Sequence, residues 1–347
     1  MLLKHKFFRG DKQLKTKKLL SIIAVSALLV VMILDTKSTI IGARGGIDLC
    51  INCIIPSLLP FSFLSKLLCT ILVGSKFPFT NFSNHITGIP KGAEAIFVVS
   101  LIGGYPIGAI CINDAYNKGT LSHEDSHRLL GFCNNAGPAF IFGVMHCVFP
   151  DMKSLFCLYL VHLVSAIIVS LLLPNKTHNT CKIKNVSIPV TKLLEETVKN
   201  LAQVCGWIVL FKILLSVIHR WFAWTLSPIM FSIITGFLEL SNGCVGLQTI
   251  ENYGLKFILS AGYLGFGGIC VALQTYSATN SCGLGMYFPG KVLHTLISIC
   301  LATMLQYLLF THEQIYTNIP PILLLSGISI AIFTVILRKL KKVVAFA

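Results

Sequence analysis

Ten apolar runs separated by short polar stretches outline this 347-residue chain: 19–34, 46–73, 94–112, 129–149, 154–173, 201–218, 227–247, 257–276, 290–310 and 320–338. A helix crossing the hydrocarbon of a bilayer needs about 20 apolar residues, and most of the runs approach that length. The run 19–34 is short but follows Lys15, Lys17 and Lys18, whose long stems can reach the headgroups. The run 46–73 is too long for one straight span. The pattern predicts an all-α polytopic membrane protein with about 8–10 membrane segments, some of them re-entrant or broken.

Several runs are interrupted by residues that a stable helix avoids. Gly103-Gly104-Tyr105-Pro106-Ile107-Gly108 breaks the third run and Gly265-Phe266-Gly267-Gly268 the eighth. Asn134-Asn135-Ala136-Gly137-Pro138 makes a further break, ahead of the apolar Ala139–Val144. An unpaired peptide group in hydrocarbon costs several kcal/mol, so unwound backbone at that depth belongs inside protein or along a polar cavity. Broken helices in both halves of a membrane protein point to a transport site. Helices restarting after Pro106 and Pro138 would present free N–H groups and a positive dipole end, which favour an anion. The bland alternative is a set of kinks tolerated by neighbouring helices.

A carboxylate, Glu239, stands in the apolar Gly236-Phe237-Leu238-Glu239-Leu240-Ser241-Asn242-Gly243. Ionisable groups inside membrane segments tend to mark ion or substrate paths. Glu239, with Asn242, reads either as a place for a coupling cation or proton, or as a hydrogen-bonded acid joining two helices. Gln274 and Asn280 follow the Gly265–Gly268 break and could line the same cavity. Asp48 and Glu94 sit at run ends and are expected to face headgroups. His146, His162 and His294 read as helix–helix hydrogen bonders.

Composition agrees with a membrane protein: 54% hydrophobic, 12% charged, mean hydropathy +0.79, against about a quarter charged in soluble domains. The excess of 28 basic over 13 acidic residues lies mostly outside the apolar runs. Seven basic residues precede position 19, and Arg338, Lys339, Lys341 and Lys342 close the chain, so both termini are expected to be cytoplasmic. With no soluble domain to display this charge, nucleic acid is not an expected partner. The first run reads as a retained anchor, because Asp35-Thr36-Lys37 follows it in place of a small-residue cleavage pattern.

The basic linker 174–199 divides the chain. If it too is cytoplasmic, five full crossings before it are one too many, and one early segment must enter and leave on the same side. Pro56-Ser57-Leu58-Leu59-Pro60 makes 46–73 the expected hairpin. The resulting division is an anchor (1–45), a first unit (46–173), the linker (174–199), a second unit (200–310) and a final helix with a basic tail (311–347). The two units would be inverted relative to each other. An ungapped overlay of 96–116 on 256–276 sets Phe97 on Phe257, Ser100 on Ser260, Gly108 on Gly268 and Tyr116 on Tyr276.

Most of the thirteen cysteines lie inside apolar runs and behave as small hydrophobes. Cys50 and Cys53 have CxxC spacing without a second pair, which favours helix packing. The cluster His123, Glu124, Asp125 and His127 reads as a helix start capped by Ser122 rather than a metal site. HExxH, GxSxG and Walker motifs are absent, so neither enzyme activity nor a cofactor or metal is expected.

The stretches Ile55–Phe61, Gly104-Tyr105-Pro106-Ile107-Gly108-Ala109, Asn135–Gly143, Gly236–Glu239 and Gly265–Gly268 with Gln274, taken in order, resemble the sporulation integral membrane protein family YlbJ, also called SpoVV. That family is part of the wider nucleoside-recognition or Gate-domain group. The likeness covers about 46–310. It implies two Gate-like units in a protein of the bacterial cell membrane, in sporulating cells the outer forespore membrane, that moves dipicolinic acid toward the spore. The breaks themselves mark the expected substrate site as Gly104, Tyr105, Pro106, Gly108, Asn134, Asn135, Gly137, Pro138, Gly265, Phe266, Gly267, Gly268 and Gln274, with Tyr105 or Phe266 stacking on the solute ring. Glu239 and Asn242 would serve coupling. Relatives commonly carry a base just after the GYPxGA motif, where Ile110 and Cys111 stand here. The partners expected are the bilayer and a dipicolinate-like anion, with proton or cation coupling and self-association as further options. The alternatives are a nucleoside or nucleobase permease, and a non-transporting sporulation membrane scaffold.

Overall fold

The computed structural model describes residues 2–72, 87–174, 189–222 and 224–309. The predicted final helix 320–338, the basic tail and most of the linker 174–199 lie outside the described residues. Among those described there are helices and no strand: α1 (Leu2–Leu34), α2 (Thr36–Leu72), α3 (Glu94–Gly103), α4 (Ile107–Asn117), α5 (His123–Leu130), α6 (Met152–Leu172), α7 (Val190–Phe222), α8 (Pro228–Leu238), α9 (Leu240–Gly246), α10 (Tyr253–Phe266), α11 (Gly268–Ala278) and α12 (Tyr287–Leu309). Five stretches are long and apolar enough to cross a membrane: Thr36–Leu72, Met152–Leu172, Val190–Phe222, Tyr253–Ala278 and Tyr287–Gln306. Ile40, Ile47, Leu64, Phe156, Leu160 and Leu210 point outward from them. An apolar exterior on long apolar helices is that of a multi-pass membrane protein.

The expected hairpin at 46–73 does not form. Residues 46–72 lie within one 37-residue helix, and its prolines are absorbed locally. The backbone widens into a π turn over Cys50–Ile54, where Ile55 N–H reaches back to the Cys50 carbonyl. The Ser57 hydroxyl donates to the Cys53 carbonyl at 2.6 Å. Wider turns and hydroxyl donors re-satisfy the groups that a proline frees, and this is how membrane helices tolerate it.

Hairpins form where the sequence suggested broken spans. Helices α3 and α4 fold back on each other around Gly104-Tyr105-Pro106: a Cβ placed on Gly108 would lie 2.8 Å from Ser100 Cβ, although eight residues of straight helix span about 12 Å. Helices α8 and α9 do the same around Glu239, with Gly243 against Gly236. Arms of 10 and 11 residues reach about 15 Å, half of a hydrocarbon core. The runs 94–112 and 227–247 are therefore hairpins, not spans.

The other two breaks do not form such hairpins. Helices α10 and α11 form one interrupted span, Tyr253–Ala278. The stretch 123–147 runs beside α6: Arg128 of α5 bonds the Ser170 and Pro174 carbonyls at the end of α6, and after the non-helical 131–137 a π segment, Ala139–Val144, and a 3-10 turn, Met145–Cys147, lead to its start at Met152. The order long helix, hairpin, interrupted helix, long helix thus occurs twice: α2, α3–α4, 123–147, α6, then α7, α8–α9, α10–α11, α12. The overlay of 96–116 on 256–276 is corrected accordingly, since it set a hairpin on an interrupted span.

Helices α2 and α7 run antiparallel and in close contact. Gly42 sits on Ile213 and Gly46 on Val209. At one end Asp35 accepts from Trp221 Nε1 at 3.1 Å and pairs with Arg220 at 3.4 Å; at the other, Lys66 pairs with Glu196 at 3.3 Å. Polar caps set the helix starts: Ser122 for α5, Asp151 for α6, Ser227 for α8 and Asn252 for α10. The first of these bears out the capping reading of the His123–His127 cluster.

Candidate functional site

The two hairpin tips and the two breaks meet in the middle of the molecule. Each tip packs on the break that follows it: a Cβ on Gly104 would lie 3.0 Å from the Gly137 nitrogen, and one on Gly268 would lie 3.4 Å from Glu239 Cα. A Cβ on Gly137 would lie 2.7 Å from the Gly104 nitrogen, which leaves no room for a side chain, while at Gly268 the neighbouring backbone would have to give way by a few tenths of an ångström. At Gly267 and Gly268 the backbone is also left-handed, with φ of 83° and 81°, which only glycine adopts without strain.

Hydrogen bonds join the halves. The Tyr105 hydroxyl, at the first tip, donates to the Leu264 carbonyl beside the second break at 2.9 Å. Asn134, in the first break, donates through Nδ2 to Thr275 Oγ1 on α11 at 2.8 Å. Asn135 Nδ2 donates to the Phe132 carbonyl at 2.7 Å, while the side-chain oxygens of both asparagines are buried without a partner among the described residues. Such groups are rare in folded proteins and tend to mark water, ligands or working parts.

Glu239 is 1% exposed and caps the arm that follows it. It accepts from Ser241 N at 2.9 Å and from Asn242 N and Nδ2 at 2.7 Å each. The carboxylate thus sits on the positive end of α9, and Asn242 orients it.

Between tips and breaks lies a cavity of about 30 Å³, lined by Gly104, Tyr105, Gly137, Glu239, Ser241 and Gln274 among others. That is room for a water molecule and not for an organic solute. A wide cleft of about 1100 Å³ reaches inward to Asn242 from the end of α7 that carries His219 and Arg220, and Lys212 lines its wall. On the opposite side a small recess of about 10 Å³ is lined by Pro106, Ile110, Asn200, Gln203, Gln274 and Ser277 among others. Gln274 borders both the central cavity and this recess. From Asn200 to Arg220 along α7 is about 30 Å, the thickness of a bilayer's hydrocarbon core.

The predicted site residues divide clearly. Gly104, Tyr105, Gly137, Glu239 and Gln274 line the cavity; Asn134, Asn135, Pro138, Gly267 and Gly268 lie in the two breaks but not on its lining; Asn242 holds Glu239; Pro106 borders the recess. Gly108 is a packing position, tight against the Cys133 carbonyl. Gly265 packs on the backbone of Thr295, and Phe266 turns outward to stack on Phe237 at 5.1 Å, so neither reaches the cavity. Asn280 is exposed. Glu94, expected at the headgroups, is buried and accepts from Gly92 N–H. His146 is exposed and bonds no helix pair. His162 Nε2 accepts from Ala136 N–H at 3.0 Å, bracing the first break, and its ring stacks on His294 at 4.5 Å.

One residue escaped sequence reasoning. Lys291, on α12, is 1% exposed, and its Nζ donates to the Asn134 carbonyl at 2.5 Å and to the Tyr105 hydroxyl at 3.0 Å. The available signal was its position inside the apolar run 290–310, where a lysine is costly. Among the described residues no three His, Cys, Asp or Glu side chains lie together as a metal site would need. No protein-family model, curated protein or solved structure matches the chain.

Proposed function

We propose that this chain is a membrane transporter of a small anionic aromatic solute, of the pyridine-dicarboxylate type, working by alternating access at the central cavity. The observation that carries the reading is the convergence of two half-length hairpins and two interrupted helices, one of each from either half, on a water-sized space. Such a space is the closed state of a site that admits solute only when a hairpin withdraws. The wide cleft and the small recess supply approaches from opposite ends.

On this reading the two halves are inverted repeats of Gate-like units, in keeping with the antiparallel α2 and α7. The segments α1, α2, 123–147 and α6 are four passes, so the amino terminus and the linker share the cytoplasmic side. The even count demanded by charge is kept, with α3–α4 as the segment that enters and leaves on one side. Lys212, His219 and Arg220 around the wide cleft favour an anion over a neutral solute. Dipicolinate as cargo, and the membrane around the forespore as the location, rest on the resemblance to the YlbJ family.

Purified protein in vesicles tests the reading through uptake of labelled pyridine-2,6-dicarboxylate. Gly104→Leu, which drives a side chain into Gly137, should abolish uptake. Wild-type vesicles that take up no solute would overturn the proposal. Full biological function with Gly104→Leu would favour the scaffold reading instead. In a sporulating host, deletion should leave dipicolinate synthesis normal and the spores empty.

A further inference from the structure

The hairpin tips differ in one respect. At the second, Glu239 sets its own carboxylate on the N-terminal end of α9. At the first, α4 begins at Ile107 after Pro106 with no side-chain cap, and Lys291 stands beside the tip, bonded to Tyr105 and Asn134. Among the described residues the ion pairs are Lys66 with Glu196 and Arg220 with Asp35, and Lys291 has none. Its neighbours are the rings of Tyr105 and Tyr287, whose centroids lie 4.7 and 5.8 Å from its nitrogen, and on its own helix His294, stacked on His162 of α6. None of these carries a negative charge that could balance an ammonium.

A buried cation without a counter-ion is costly. We infer that Lys291 is the anion-recognising residue of the site: a solute carboxylate takes, at the first tip, the place that Glu239 fills at the second, and supplies the charge that Lys291 lacks. This deepens the transport reading and rests on it. In the closed state Tyr105 stands between Lys291 and the cavity, so the amine becomes available only when the first hairpin shifts. Tyr105 is then the shutter, and Lys291 holds the charge behind it.

The test measures charge selectivity. Vesicles containing wild type or Lys291→Met are assayed for uptake of pyridine-2,6-dicarboxylate and of the neutral, similarly shaped pyridine-2,6-dicarboxamide. Methionine keeps the apolar stem and removes the buried charge, so the fold should persist, and an unchanged thermal unfolding midpoint serves as the control. The preference for dicarboxylate over diamide should fall by about 30-fold or more, and Lys291→Arg should retain a preference for the anion. An unchanged preference in Lys291→Met overturns the assignment and leaves transport standing. So does a wild type that prefers the diamide. Wild-type vesicles that move neither solute overturn the transport reading, and this inference with it. If Lys291→Met does not fold, wild type alone decides: the dicarboxylate should raise its unfolding midpoint and the diamide should not, and equal shifts overturn the assignment.

Discussion

Tyr105→Phe tests what holds the first hairpin tip in place. The ring stays, so the cavity wall keeps its shape, and only the hydroxyl is lost. That oxygen donates to the Leu264 carbonyl at 2.9 Å and accepts from Lys291 at 3.0 Å, tying the first tip to the second break and to α12. A neutral hydrogen bond contributes about 1 kcal/mol and one from a charged donor about 2 kcal/mol, so the tip loses about 3 kcal/mol of closure. At about 1.4 kcal/mol per tenfold, its opening equilibrium should rise roughly 100-fold. Hydrogen–deuterium exchange on the purified protein reads this as faster exchange of the 103–108 amides, while the α8–α9 arms keep their protection. A change of less than threefold would mean that packing, not the Tyr105 bonds, keeps the first hairpin shut.

Asn242→Ala removes one of three donors to Glu239 and should loosen the second hairpin by about 1.5–3 kcal/mol. Exchange should quicken at 239–243 alone, and equal quickening at 103–108 would show that the tips do not open separately. Ser57→Ala strips the Cys53 carbonyl of its hydroxyl donor and should cost about 1 kcal/mol, visible as a lower unfolding midpoint in detergent; an unchanged midpoint would remove the hydroxyl from the account of the tolerated prolines. Asp151 lies outside the spanning segments, where burial pushes its carboxyl up but bonds from Ser154 and Tyr253 outweigh this and hold it below the usual value. A depressed carboxyl stabilises the fold above the unfolded-state value of about 3.9, and that contribution is lost as pH falls further. Asp151→Asn should flatten the acid limb of the unfolding midpoint against pH, and parallel limbs for variant and wild type would refute this.

Helix content and the positions of the breaks were legible in the sequence, because glycine, proline and asparagine inside apolar runs have few other uses. Which break was a hairpin was not. Proline density pointed to 46–73, but proline cost depends on what replaces the missing bonds, and Ser57 and the π turn replace them there. At 103–106 the chain reverses because Gly108 lets the returning arm lie against Ser100 and the Cys133 carbonyl, a contact between distant residues that no local pattern encodes. Phe266 illustrates the same limit, since a residue beside a break can face either way and only packing on Phe237 decides. Lys291 was legible in principle, because a lone lysine in an apolar run is its own signal, but its partners Tyr105 and Asn134 lie far off in the chain and no local pattern names them.

The π turn at Cys50–Ile54 has a consequence for α2 as a whole. One residue more than an α-turn holds rotates everything beyond it by about 100° around the helix axis. The Gly42–Gly46 stretch can therefore mate with α7 while Ser65 and Cys69, on a differently phased stripe of the same rod, meet the arms of the first hairpin at Gly103 and Cys111. A single inserted residue lets one helix act as two surfaces with separate azimuths. Closing the π turn to an ordinary α-turn with every residue kept would swing the hairpin's support by that angle, whereas deleting one residue between 50 and 54 would close the turn and leave both surfaces aligned.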